Sequence, residues 1–306
     1  MKISCRHVMG CKLPRGKAYS EIASIAVLLI AMVSIQIGAA LAKSLLPVVG
    51  AAGAAALRLA FASVMLLAVA RPWRSWPRGA AAAAILAYGF AMGAMNLLFY
   101  SALRRIPLGV AVALEFTGPL AVAMATSRRA RDFFWIALAV TGLLLLLPLR
   151  TGAGALDPAG VAFALAAGAC WALYILFGRR AGTLHRGGVA ALGVLAGAVL
   201  VVPIGALSVG PRLWSPRLWP IAAAVALLSS ALPYSLEMFA LTRLPARTFG
   251  VLMSGEPVVA ALAGLSVLGE RLRPVQWFAI VCIMAASCGS VSTLAPESVQ
   301  AVANER

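Results

Sequence analysis

A chain of 306 residues that is 62% hydrophobic and only 11% charged is not a soluble domain, which carries about 25% charged residues. Its net charge of +17 does not mark a nucleic-acid binder either. The 26 Lys and Arg lie in short clusters between apolar runs, and no polar body remains once those runs are removed. The composition is that of an integral membrane protein of the all-α class.

The chain begins with a basic tail over residues 1–20, in which Cys5 and Cys11 flank His7 with too few ligands for a metal site. The apolar run from Ile22 exceeds the ~7–15-residue core of a cleavable signal, so it is expected to stay as a first helix. About 20 apolar residues cross a bilayer as a helix. Ten such runs follow in order, at 22–42, 50–70, 79–101, 108–126, 133–149, 159–178, 188–209, 219–241, 247–268 and 274–294. Linkers between them are short and marked by Pro, Gly and Arg, and none is large enough for a soluble domain. With the N-terminus in the cytoplasm, most of the Lys and Arg fall on the cytoplasmic side, so both termini are expected there.

The helices divide into two matched halves. At one constant offset Leu103, Arg105, Pro107 and Pro119 fall on Leu241, Arg243, Pro245 and Pro257, while Asn96 falls on Tyr234 and Phe99 on Glu237. Trp135 aligns with Trp277 after a short insertion. Five helices per half is an odd number, so the second half enters the membrane from the opposite side, as an inverted repeat. The expected organisation is a first repeat at 21–149, a second at 150–294, and a cytoplasmic tail at 295–306.

Charges at membrane depth cost about 2.5–3.5 kcal/mol each when they face lipid, so they are expected to face the interior of the bundle, to pair, or to line water. Arg58, Glu115, Glu237 and Glu256 are such charges. Counted from one membrane face, Arg58 and Glu115 lie at similar depths, roughly 10–12 Å in, which makes them an expected ion pair. Asn96 with Tyr100, and Tyr234 with Glu237, share helix faces that either line a cavity or bond between helices. Tyr174 and Trp171 either shape such a cavity or pack in the core. Pro119 and Pro257 are expected helix kinks, and interrupted helices at matching positions point to a transporter site.

Gln36 and Lys43 are weaker candidates, Lys43 reading mainly as an interface anchor. Gly89 with Gly93, and Gly193 with Gly197, are small-residue pairs that permit close helix contact. Asp132 and Glu270 read as loop salt-bridge partners of the neighbouring Arg131 and Arg271. No catalytic triad, metal cluster or phosphate-binding loop can be assembled from the inventory, so neither an enzyme nor a resident cofactor is expected.

Three segments carry a family resemblance: Gly109–Leu120 (Gly-Val-Ala-Val-Ala-Leu-Glu-Phe-Thr-Gly-Pro-Leu), Ala231–Met238 (Ala-Leu-Pro-Tyr-Ser-Leu-Glu-Met) and Leu244–Gly250 (Leu-Pro-Ala-Arg-Thr-Phe-Gly). With them the chain resembles the EamA-type branch of the drug/metabolite transporter superfamily, from about Ser34 to Thr293. The resemblance implies ten transmembrane helices with a cavity between two five-helix halves. It also implies export of small amino acids, threonine- or homoserine-like, across the bacterial inner membrane in exchange for protons. A broader drug or metabolite exporter of the same fold is the alternative. The implied partners are the substrate, protons and the lipid bilayer, not nucleic acid.

Overall fold

The computed structural model describes residues 15–74, 76–125, 130–146, 156–185, 188–241 and 252–293. Every described element of regular structure is helical. The helices are α1 (Arg15–Ala70), α2 (Ala80–Leu103), α3 (Leu108–Glu115), α4 (Thr117–Ala125), α5 (Ala130–Leu146) and α6 (Pro158–Leu184), followed by α7 (Val189–Val209), α8 (Trp219–Ala226), α9 (Leu232–Leu241), α10 (Glu256–Leu268) and α11 (Pro274–Thr293). A π-helical turn, Leu227–Ala231, joins α8 to α9.

Four apolar helical stretches are long enough to cross a bilayer, namely Ile22–Ala70, Ala80–Leu103, Pro158–Leu184 and Val189–Trp214. The first is broken. Gly50 has φ 65° and ψ −179°, a conformation open to a residue without a Cβ, and it divides α1 into two arms. The break therefore falls at the glycine, and the expected 22–42 helix extends through Pro47 to reach it. Shorter apolar helices cover Leu108–Val122, Phe134–Leu145, Glu256–Leu268 and Pro274–Gly289. The outward surface suits lipid: Val69 is 82% exposed and Leu207 88% exposed.

Helix α1 is the spine and packs against α2, α7, α8, α9 and α10, while α2 also packs on α6 and α7. The two glycine pairs meet each other. A Cβ on Gly89 would strike the carbonyl of Gly193, and one on Gly93 would lie 3.0 Å from the Cα of Gly197. Such backbone-to-backbone approach supplies dispersion contact without long side chains. On the outside, α5 and α11 pair, with Gly142 against Ile283 and Gly289 against Trp135.

The expected helix at 108–126 loosens at Phe116, between α3 and α4, although Phe116 keeps helical angles (φ −64°, ψ −16°) and the Phe116 and Leu120 N–H groups still donate to the carbonyls four residues back. Residues 252–253 are helical, and a turn at 254–255 then precedes α10. These two irregularities occupy equivalent positions when the halves are aligned on their prolines. Pro119 and Pro257 sit in the first turn of α4 and α10, where backbone N–H groups have no intrahelical partner. Each proline lacks an N–H and so leaves the carbonyl four residues before it, Glu115 and Met253, without its usual helical donor.

Candidate functional site

The breaks deliver polar groups to the middle of the bundle. Glu115 is the last residue of α3, and its carbonyl abuts α6 at Gly168, where an added Cβ would come within 2.6 Å. A Cβ on Gly118 would likewise collide with the Gly168 carbonyl. The backbone of the α3–α4 break is therefore seated directly on α6, and that contact fixes where Glu115 points. Gly168→Val is expected to destabilise the protein by about 1–3 kcal/mol and to lower transport by at least roughly tenfold. Gly182→Ala, on the same helix with open space around it, is expected to change neither. Melting temperature and initial transport rate of the purified variants check both.

The π turn does the same on the other side. It leaves carbonyls without the usual i+4 donor. The Leu228 carbonyl accepts from Ser34 Oγ at 2.7 Å, and the Ser229 carbonyl accepts from Arg58 Nη2 at 3.0 Å. Arg58 Nη1 also donates to the Tyr100 hydroxyl at 3.3 Å, and Nε to Ser230 Oγ at 3.4 Å. Gly38 allows the approach, since a Cβ there would lie 2.8 Å from the Ser229 backbone nitrogen.

Arg58, Asn96, Glu115, Tyr174, Glu237 and Glu256 line one cavity of about 280 Å³. That is near the lower limit of small-molecule pockets, roughly 300–1,000 Å³, and suits a compact solute. Gln36, Trp171, Phe99, Met95 and Ser229 complete much of the wall. Tyr100 is fully buried behind Arg58 and is not on the wall. Tyr234 lies in α9, and its side chain is outside the described residues. Arg58 donates to the π turn and to Tyr100, and it shares the cavity wall with Glu115.

Asn96 Nδ2 donates to its own helix at Met92. The Tyr174 ring stacks on Tyr88 at 4.8 Å, with the two hydroxyls 3.4 Å apart. Trp171 meets Phe116 edge to face at 5.5 Å. Gln36 Nε2 donates to Glu256 Oε1 at 3.1 Å across the α1–α10 contact. Ser229 and Ser230 are not among the candidates singled out from the sequence, although Pro233, four residues after Ser229, is a signal that the Ser229 carbonyl lacks its helical donor.

Glu270 is not the partner of Arg271. Its Oε1 takes Lys43 Nζ at 2.6 Å and its Oε2 accepts from the Leu108 backbone N–H at 2.8 Å, while Lys43 also donates to the Ile106 carbonyl. This network ties α1, the start of α3 and the end of α10. Nearby, Arg105 pairs with Asp157, which caps α6 by accepting from the Ala159 N–H. The Arg105 hydrogen bond, with those backbone N–H groups, holds the Asp157 carboxyl below the usual carboxylate range. The Asp132 side chain lies outside the described residues. Among the described residues no group of three or more His, Cys, Asp or Glu is placed to hold a metal ion.

An apolar bundle around a small, charged cavity defines a membrane transporter. The EamA-like transporter family model matches residues 158–292. The chain is 55% identical over 274 residues to the threonine/homoserine exporter RhtA of Escherichia coli K12, covering 90% of this chain and 93% of that one. The exporter of the same name from Salmonella typhimurium LT2 is also 55% identical, over 273 residues. An uncharacterised transporter of Bacillus subtilis, YwfM, is 28% identical over 238 residues, covering 72% of this chain. A solved crystal structure, 20% identical, superposes with a TM-score of 0.59 over 89% of this chain and 97% of its own, a likeness of fold alone. The chain belongs to the EamA-like transporter family; it is a multi-pass membrane protein and not an enzyme.

Proposed function

We propose that this protein is a secondary active exporter of small amino acids of the threonine and homoserine type, working by alternating access in exchange for protons. The observation that carries the proposal is the cavity itself, which brings one guanidinium and three carboxylates together within an apolar bundle. A zwitterion entering a largely dry site needs both a cation and an anion to replace its hydration. A carboxylate left over can carry the proton. The identity to exporters of that name supports the same substrate class.

The architecture that goes with this function is ten crossings in two inverted five-helix repeats, with both termini in the cytoplasm of a bacterial inner membrane. The aligned prolines Pro119 and Pro257, with the local irregularities at Phe116 and 254–255 before them, support it, since interrupted helices in corresponding positions of two halves mark transporter binding sites. The Lys43–Glu270 network then lies at the extracytoplasmic end.

Expression in a host lacking its own threonine exporters is expected to raise resistance to inhibitory threonine and homoserine, and unchanged resistance rules the substrate class out. The broader-exporter alternative draws on the aromatic wall of Phe99, Trp171 and Tyr174. Competition of a drug and nucleoside panel against labelled threonine separates the two.

A further inference from the structure

Two acceptor atoms in the cavity wall lack hydrogen-bond partners, and they belong to side chains that are bonded to each other. Gln36 is 2% exposed and Glu256 5% exposed, and the contact between them uses Gln36 Nε2 and Glu256 Oε1. The remaining oxygens, Gln36 Oε1 and Glu256 Oε2, are buried and unpartnered. Both residues line the cavity that also holds Arg58. An amide oxygen and a carboxylate oxygen accept and cannot donate. A buried acceptor with no donor is an unfavourable state, and natural structures leave few of them unexplained. Two such acceptors, on bonded side chains of one cavity wall, suit a group with several donors and no acceptor.

We infer that Gln36 Oε1 and Glu256 Oε2 form the seat of the substrate's ammonium group, an inference that rests on the amino-acid exporter proposed above. An ammonium brings three N–H donors, no acceptor and a positive charge. It satisfies both orphaned oxygens at once, and the charge-assisted bond to the carboxylate is the stronger of the two. The substrate carboxylate is then left for the guanidinium of Arg58, whose planar fork suits it. Gln36 plays two parts: its N–H fixes the rotamer of Glu256, and its oxygen shares the ligand. The break before α10 matters here, because Glu256 stands in the first turn beyond it. Glu256 then takes the substrate amine, and Glu115 is free for another task.

The test uses the full-length chain in proteoliposomes, with labelled threonine counterflow and two unlabelled competitors. One competitor is threonine; the other is 2,3-dihydroxybutanoate, the same skeleton with a hydroxyl in place of the ammonium. The wild type is expected to prefer threonine by on the order of tenfold or more. Gln36→Leu and Glu256→Gln are each expected to reduce that preference to roughly threefold or less and to raise the half-saturating threonine concentration by about tenfold. If a variant moves no threonine, equilibrium binding of labelled threonine to the purified protein reads the same preference. Either variant retaining the wild-type preference overturns the ammonium seat alone. Wild-type liposomes that move no threonine overturn the exporter, and the seat with it.

Discussion

Arg58→Lys keeps a positive charge in the cavity and is nonetheless expected to lower threonine transport by on the order of a hundredfold. The guanidinium reaches the Ser229 carbonyl, the Tyr100 hydroxyl and Ser230 Oγ from three different nitrogens. A lysine ammonium is a single point with three donors on a flexible stem and cannot occupy those positions together. The Ser229 carbonyl, freed by the π turn, and the buried Tyr100 hydroxyl would each lose their donor. Each loss costs about 1–3 kcal/mol, or about tenfold or more, and the substrate carboxylate loses its planar partner as well. Initial rates at matched protein density check this, with a melting curve to show that the bundle survives. A lysine variant with the wild-type rate would show that only the charge matters.

Glu115→Gln is expected to separate coupling from binding. The amide keeps the size and shape of the side chain but cannot take up or release a proton. The seating of the α3–α4 break on Gly168 holds the residue in the same place. Flux driven by a pH gradient should fall by on the order of tenfold to a hundredfold, the span of a typical coupling free energy. Threonine–threonine exchange, which needs no net proton movement, should stay within about a factor of three of the wild type. Equal loss of both activities would place Glu115 on the substrate and remove it from the proton path. Buried carboxylates facing a bundle interior are the usual carriers of protons through membranes, and here Glu115 is 6% exposed on the cavity wall.

Much of the site could be read from the sequence because lipid penalises charge so strongly. Arg58, Glu115, Glu237 and Glu256 stand out in apolar runs, and the cavity gathers all four. The glycine pairs were legible as contact surfaces, though not as partners of each other, since pairing is set by how the helices cross. What could not be read were backbone events. The π turn at Leu227–Ala231 was not anticipated, and Arg58 reaches the Ser229 carbonyl there, whose i+4 residue, Pro233, has no N–H to offer it. The apolar runs at 22–42 and 50–70 leave a gap between them, whereas α1 stays helical through Pro47 and breaks only at Gly50. Glu270 was matched to its sequence neighbour, whereas its cation, Lys43, comes from a helix far away in the chain. Gln36 is a weaker candidate from the sequence, and its contact with Glu256 is what gives it weight.

Driven transport of threonine by the purified full-length chain, reconstituted in liposomes with an imposed pH gradient, tests the exporter most directly. Threonine accumulating against its own concentration gradient, and ceasing to do so when the pH gradient is collapsed, is the expected result. No threonine movement above that of protein-free liposomes, or movement indifferent to the pH gradient, would contradict proton-coupled amino-acid export.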